Sequence, residues 1–233
     1  MGEASASLTR LLDNVIDINL SEKVGNDNIS SQKRRFGIGV CGFADLVANM
    51  NFSYGSPQSQ KVLADCLEVI NYASKSASMK LSKERGRFPL FDESRYYDKN
   101  FLERHADNSP VKQSEWEELY DDVQKYGLRN ATTTALPPTG SSSRIVGASY
   151  SIEPYFGLQN SQIFYEELDK EIPKSSGNLK KHIIKAVNET GTCQNLKFLS
   201  KEFRDVFRLG NEINYEEHLK LVGTAQKFVD DGI

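Results

Sequence analysis

The sequence predicts an α/β fold that is rich in helix and incomplete on its own. Three observations lead there. Apolar residues recur at helical spacing in several segments, two short strand-like runs lie among them, and a loop of small residues follows the second run. Two strands do not make an independent sheet, so the chain reads as part of a larger α/β body.

Residues 5–19 open the chain as an amphipathic helix, with Leu8, Leu11, Leu12, Val15 and Ile16 at helical spacing. Residues 20–35 are polar, without a period, and read as a loop. Phe36 to Val40 is the first strand-like run, and Gly42 to Ala48 the helix after it; the glycines there suggest close packing. The clearest helix has Ser56 as N-cap and Pro57 in its first turn. Val62, Cys66, Val69, Ile70, Ala73, Ala77 and Leu81 line one face, and Gly86 closes it. Residues 87–112 are an irregular aromatic and charged excursion, and Glu115 to Tyr126 a short helix ending at Gly127. Leu128 to Leu136 turns extended, with β-branched threonines. Beyond Pro154, helices are expected over Phe164–Ile172, Asn178–Val187, Ser200–Leu209 and Tyr215–Val229. Asn214 and Glu217 form a capping-box pair for the last. No internal repeat is visible.

With 233 residues, 38% hydrophobic and 26% charged, the chain is long enough to bury a real core. A net charge of −3 argues against a general nucleic-acid or membrane-surface binder. The basic spots Lys33-Arg34-Arg35 and Lys180-Lys181 are short and read as solvated charges. No apolar run reaches membrane-spanning length, and no signal-peptide core is seen near the start. Three scattered cysteines, Cys41, Cys66 and Cys193, suit a reducing cytosol, which makes the expected location cytoplasmic. Neither they nor His105, His182 and His218 show metal-ligand spacing.

The segment 132–154 carries the most information. Pro137-Pro138 leads into Thr139, Gly140, Ser141, Ser142 and Ser143, all small. Such a loop, placed after a strand and before a helix, can turn several N–H groups and hydroxyls toward one anion. It has neither a Walker A lysine nor a dinucleotide fingerprint, so an ordinary Ser/Gly turn stands beside the phosphate-cradle reading. Cys41 follows a strand but has no activating neighbour and reads as a small buried residue; Cys66 reads as core, Cys193 as partly exposed in a turn. Glu153 is structural or a partner of Arg144, Asp45 serves a helix dipole, and His218 packs on the last helix.

Four co-linear motifs resemble the large, catalytic subunit of ribonucleotide reductase: LTRLLDNVIDIN (8–19), RRFGIGVCGFADL (34–46), KERGRFPLF (83–91) and KYGLRNATTTALPPTGSSSRIVGASYSIEP (125–154). The similarity is closest to the adenosylcobalamin-dependent class II branch. It covers most of the chain and is weakest at 155–200, a divergent, shortened helical region. The resemblance implies a ten-stranded α/β barrel, with residues 1–233 as one partial barrel domain from its second half. It implies that Pro138, Thr139, Gly140, Ser141, Ser142 and Ser143 hold the phosphates of a ribonucleoside di- or triphosphate being reduced to the 2′-deoxyribonucleotide. It also implies adenosylcobalamin as cofactor, though no residue here shows a site for it.

The departures from the family shape the expectation. No N-x-C-x-E radical-cysteine motif occurs, and Cys41 stands where relatives carry methionine or another apolar residue. The reducing cysteine pair, effector region and redox-active tail have no counterpart. Both ends look like cuts through a larger enzyme, as a split gene, an intein-interrupted gene or a cloned fragment would give. The partners expected are therefore the ribonucleotide and the missing catalytic part of the reductase, with self-assembly possible. The isolated chain is expected to be inactive. A catalytically silent nucleotide- or subunit-binding relative is the alternative, and a stand-alone phosphosugar enzyme a weaker third, because no general base is evident.

Overall fold

The computed structural model describes residues 1–22, 29–105, 108–173 and 176–233. In chain order its helices are α1 (Gly2–Glu22), α2 (Ile29–Lys33), α3 (Phe43–Asn49), α4 (Pro57–Arg85), α5 (Lys99–Leu102), α6 (Gln113–Tyr126), α7 (Gly140–Val146), α8 (Gln162–Glu171), α9 (Gly177–Thr190), α10 (Lys201–Val206) and α11 (Tyr215–Gln226). Short 3₁₀ turns occupy Phe91–Glu93, Arg95–Tyr97 and Gly210–Glu212. The chain divides into two compact units, one of residues 1–39, 63–136 and 224–233 and the other of 40–62 and 137–223.

In the first unit the helix signals held, but the inward face of α1 did not and that of α4 held only in part. α1 buries Ser5, Thr9 and Asp13, while Leu8, Leu11, Val15 and Ile18 are 41 to 61% exposed. The reason is electrostatic. The Asp13 carboxylate accepts from Arg34 at 2.6 Å, Asn130 at 3.0 Å, Arg85 at 3.2 Å and Arg129 at 3.4 Å. Turning the leucines inward would strand that buried charge. α4 does so in part: Ile70 and Leu81 are buried as expected, but Asn71, Ser74, Lys75 and Ser78 are fully buried too, while Val62, Cys66, Val69, Ala73 and Ala77 are only half-buried. Lys75 Nζ donates to both oxygens of Asp230, at 2.7 and 2.8 Å. The apolar core of this unit lies instead around Trp116, Phe88, Phe91, Tyr96, Leu102 and Leu128. Each such side chain contributes roughly 1.5–3 kcal/mol through burial.

The two strand-like runs do meet, but neither becomes a strand. Among the described residues their only ladder contact is one parallel bridge between Ile38 and Thr134. It is built by Ile38 N–H to Thr133 C=O at 2.8 Å and Ala135 N–H to Ile38 C=O at 3.1 Å. A third extended segment binds the other side, through Asp231 N–H to Thr134 C=O at 3.2 Å and Leu136 N–H to Gly232 C=O at 3.3 Å. Gly37 permits the approach, since a Cβ there would sit 2.6 Å from the Ala135 Cβ. The α/β expectation is not confirmed: among the described residues extended segments pair only at isolated bridges and no strand forms, because with so few residues in register the ladder does not propagate.

In the second unit, α3, α8, α9 and α10 share a core of Ala44, Ala48, Leu158, Phe164, Leu168, Ile183, Val187, Phe203 and Phe207. Among the described residues its one bridge, also parallel, joins Tyr155 to Leu209.

Several local expectations are corrected. The polar stretch 20–35 contains the end of α1 and all of α2, and residues 23–28 of it lie outside the described residues. The irregular excursion 87–112 holds α5 and two 3₁₀ turns, with 106 and 107 likewise outside the described residues. Asn214 caps α11 by accepting the Glu216 N–H at 2.9 Å, but Glu217 pairs with Arg208 at 2.9 Å in place of closing a capping box. Cys41 is exposed, Cys66 half-buried and Cys193 fully buried, against expectation in each case. Cys193 belongs to the second unit's core, with its Sγ 3.7 Å from the Phe207 carbonyl, because its turn folds back into that core.

Candidate functional site

The small-residue loop lies wholly within the second unit and becomes the start of α7. Thr139 is the N-cap, in left-handed backbone with φ 56° and ψ 25°. Its carbonyl accepts the Ser143 N–H at 2.8 Å, the first bond of the helix. The N–H groups of Gly140, Ser141 and Ser142 precede that bond, so they have no acceptor within the helix. All three residues are exposed, and Gly140 is open enough that a Cβ would meet nothing within 4 Å.

The hydroxyls divide into two groups that the sequence does not separate. Thr139 Oγ1 lies 2.9 Å from Ser143 Oγ and accepts the Ser151 N–H at 2.8 Å. Ser143 is fully buried. These two hydroxyls hold the turn together and do not face solvent as a pair of ligands. Ser141 and Ser142, both exposed, are the ones free to meet an anion. Pro138 is exposed and leads in.

Beside the loop is a cleft of about 610 Å³ lined by Pro138, Gly140, Ser141, Arg144, Tyr150, Glu153 and Phe156. Arg144 Nε donates to the Tyr150 hydroxyl at 3.2 Å, and Tyr150 stacks on Phe156 with ring centroids 5.6 Å apart. The arrangement sets one cation, Arg144, and two residues of the helix start, Gly140 and Ser141, against one carboxylate, Glu153. That donor set suits an anion with more than one oxygen to share. A larger cleft, about 910 Å³, shares Arg144, Tyr150 and Phe156 and reaches Asp45, Ser149 and Tyr155.

Asp45 does not serve mainly as a dipole partner for α3. Its Oδ2 accepts the Ser149 N–H at 2.6 Å and its Oδ1 the Tyr155 O–H at 2.7 Å. Burial first, and then the Asp45 carboxylate, push the Tyr155 hydroxyl well above the usual phenol range, so it stays a donor. Likewise the Tyr54 O–H donates to the Ile152 carbonyl at 2.6 Å, kept protonated by burial and by Glu153. His218 packs edge-on to Tyr54 at 5.9 Å, outside either cleft. Sequence reasoning missed Tyr150, Tyr155 and Phe156; the aromatic cluster after the loop was the available signal.

Among the described residues no group of three or more His, Cys, Asp or Glu could hold a metal, and no helix is long and apolar enough to cross a membrane. The histidines are committed separately: His105 beside Trp116, His182 beside Phe198, His218 beside Tyr54. Neither cleft beside the loop is lined by a histidine or a cysteine.

Comparison with known proteins identifies the family. The family model described as ribonucleotide reductase, barrel domain, matches residues 1–233. A vitamin B12-dependent ribonucleoside-diphosphate reductase from Thermoplasma acidophilum is 31% identical over 233 residues, covering 97% of this chain and 27% of that protein. A ribonucleoside-diphosphate reductase subunit alpha from Chlamydia pneumoniae is 28% identical over 255 residues, covering 96% of this chain and 23% of its own length. In three dimensions the chain matches the Actinobacillus ureae class Id ribonucleotide reductase alpha subunit with a TM-score of 0.72 at 23% identity, over 98% of this chain and 39% of that one. The chain thus spans about a quarter of the length of these curated relatives. By the full-length match to the barrel-domain family, this chain belongs to the ribonucleotide reductase large-subunit family.

Proposed function

We propose that this chain contributes the substrate-phosphate loop of a ribonucleoside di- or triphosphate reductase. The observation that carries the reading is that Gly140 and Ser141, whose first-turn amides have no acceptor within the helix, line one cleft with Arg144 in a member of the barrel-domain family. In this reading the amides and the Ser141 and Ser142 hydroxyls grip the phosphates, and Thr139 and Ser143 shape the turn. Holding the charged end of the nucleotide fixes where its ribose lies, which is positioning and not bond-making. Radical formation, thiol reduction and any adenosylcobalamin chemistry fall to polypeptide outside this chain, since the sequence carries no N-x-C-x-E.

The test is a titration of the ¹⁵N-labelled chain with ADP. Shifts concentrated at the amides of Gly140 to Ser142, lost in Ser141→Ala/Ser142→Ala, support the reading. Shifts elsewhere, or equal affinity in the double variant, reject it. The missing radical-cysteine motif also favours a second reading, a silent nucleotide- or subunit-binding module. Co-expression with a polypeptide carrying N-x-C-x-E separates the two: restored nucleotide reduction supports the enzyme, binding without turnover the module.

A further inference from the structure

We propose that Asp45 is a positioning residue of the phosphate loop, acting through Ser149 and Ser151. The inference rests on the phosphate reading of that loop and adds a residue from a different part of the chain to it. Asp45 stands in the first turn of α3, about a hundred residues before the loop in sequence.

Hydrogen bonds at Ser149 and Ser151, linked by the backbone of residues 149–151, join the two. Ser149 is held from both sides: its N–H donates to Asp45 Oδ2 at 2.6 Å, and its Oγ accepts the Asp45 N–H at 3.3 Å. Its carbonyl accepts the Gly42 N–H at 2.8 Å, and the Ser151 carbonyl accepts the Phe43 N–H at 3.4 Å. The start of α3 therefore clamps residues 149–151 by amides and carboxylate together. Ser151 then donates its N–H to Thr139 Oγ1 at 2.8 Å, and Thr139 Oγ1 meets Ser143 Oγ at 2.9 Å. Thr139 and Ser151 both occupy left-handed backbone, φ 56° and 42°, which non-glycine residues adopt only when their surroundings impose it. Asp45 is the charged acceptor at the head of this chain. Its other oxygen, bonded to Tyr155, fixes the rotamer that presents Oδ2 to Ser149.

The test compares the dissociation constants of ADP and adenosine on the full 233-residue chain, with thermal unfolding in parallel. A purely structural role would lower stability or weaken both ligands alike; a positioning role acts on the ratio, the part of the affinity due to phosphate. Asp45→Ala is expected to reduce that ratio roughly tenfold, the equivalent of one good charge-assisted hydrogen bond. Asp45→Asn keeps an acceptor for the Ser149 N–H and can donate to Tyr155, so it restores most of the ratio. Tyr155→Phe gives a smaller loss in the same direction. If Asp45→Ala does not fold, Asp45→Asn against Tyr155→Phe still orders the effect. An unchanged ratio in all three variants, while Ser141→Ala/Ser142→Ala lowers it, overturns the role of Asp45 and leaves the loop reading standing. An unchanged ratio in the Ser141/Ser142 variant overturns the loop reading and this inference with it.

Discussion

The Ser151 N–H donates to Thr139 Oγ1 at 2.8 Å, and both residues are left-handed. The two are unequal in what their side chains give back. Thr139 Oγ1 makes two bonds, whereas Ser151 Oγ is buried with no hydrogen-bond partner among the described residues. Ser151→Gly should therefore remove a left-handed cost without losing a side-chain bond, and stabilise the chain by up to about 1 kcal/mol. Thr139→Gly relieves the same backbone cost but orphans the Ser151 N–H and Ser143 Oγ, a net loss of about 1 kcal/mol. Urea unfolding of the two variants checks the opposite signs.

Asp13 makes the first unit sensitive to acid. Burial raises its pKa, but the hydrogen bonds from Arg34 and Asn130 and the nearby guanidinium charges outweigh this and hold it below the ordinary value. A carboxyl lowered on folding adds stability above its unfolded pKa near 4, and that stability is lost as pH falls through the folded value. Asp13→Asn should cost about 2 kcal/mol at pH 7, because it leaves the buried Arg34 with only the half-exposed Asp17 carboxylate, at 2.7 Å, as its counter-charge. The gap to wild type should close below about pH 4. A gap that stays constant from pH 7 to 3 would show that the cluster is not what Asp13 contributes.

Thiol chemistry should resolve the three cysteines. Burial pushes the Cys193 thiol up to about 12, so at pH 8 only about one molecule in ten thousand carries its thiolate. Cys66, half-buried, is also raised by burial. Cys41 is exposed and should be the single fast-reacting thiol toward a disulfide reagent, with Cys193 reacting only after unfolding. Three fast thiols in the native chain would contradict the packing around Cys193.

The α1 stripe should govern surface stickiness without governing stability. Leu8, Leu11, Val15 and Ile18 are exposed along one line of the helix. Leu11→Lys/Val15→Lys should reduce binding of a hydrophobic dye and any self-association, while unfolding free energy changes by no more than about 0.5 kcal/mol per site. A large loss of stability would mean that these side chains are packed.

The elements that depend on neighbours in sequence were legible. α4 begins at Pro57 and ends before Gly86, α6 ends before Gly127, and the small-residue loop sits at a helix start as expected. These follow from caps, proline, glycine and apolar spacing, all local. The inward face of α1 was misread because hydrophobic periodicity assumes that apolar residues do the burying. Here Asp13, answered by arginines from residues 34, 85 and 129, turned the helix the other way. No window along the chain contains that information.

The same division runs through the site. By itself the sequence determined that residues 139–143 are small, unobstructed and followed by a helix, and its motifs pointed to the ribonucleotide reductase family. Only the tertiary structure decided which hydroxyls are spent on the turn and which remain free, since that depends on Ser151 arriving beside Thr139. It also decided that Asp45, distant in sequence, bonds Ser149 and Tyr155 at the edge of the cleft. Helix starts are written in adjacent residues; hydrogen-bond partners across a hundred residues exist only once packing has excluded water and left each buried polar group a single acceptor to find.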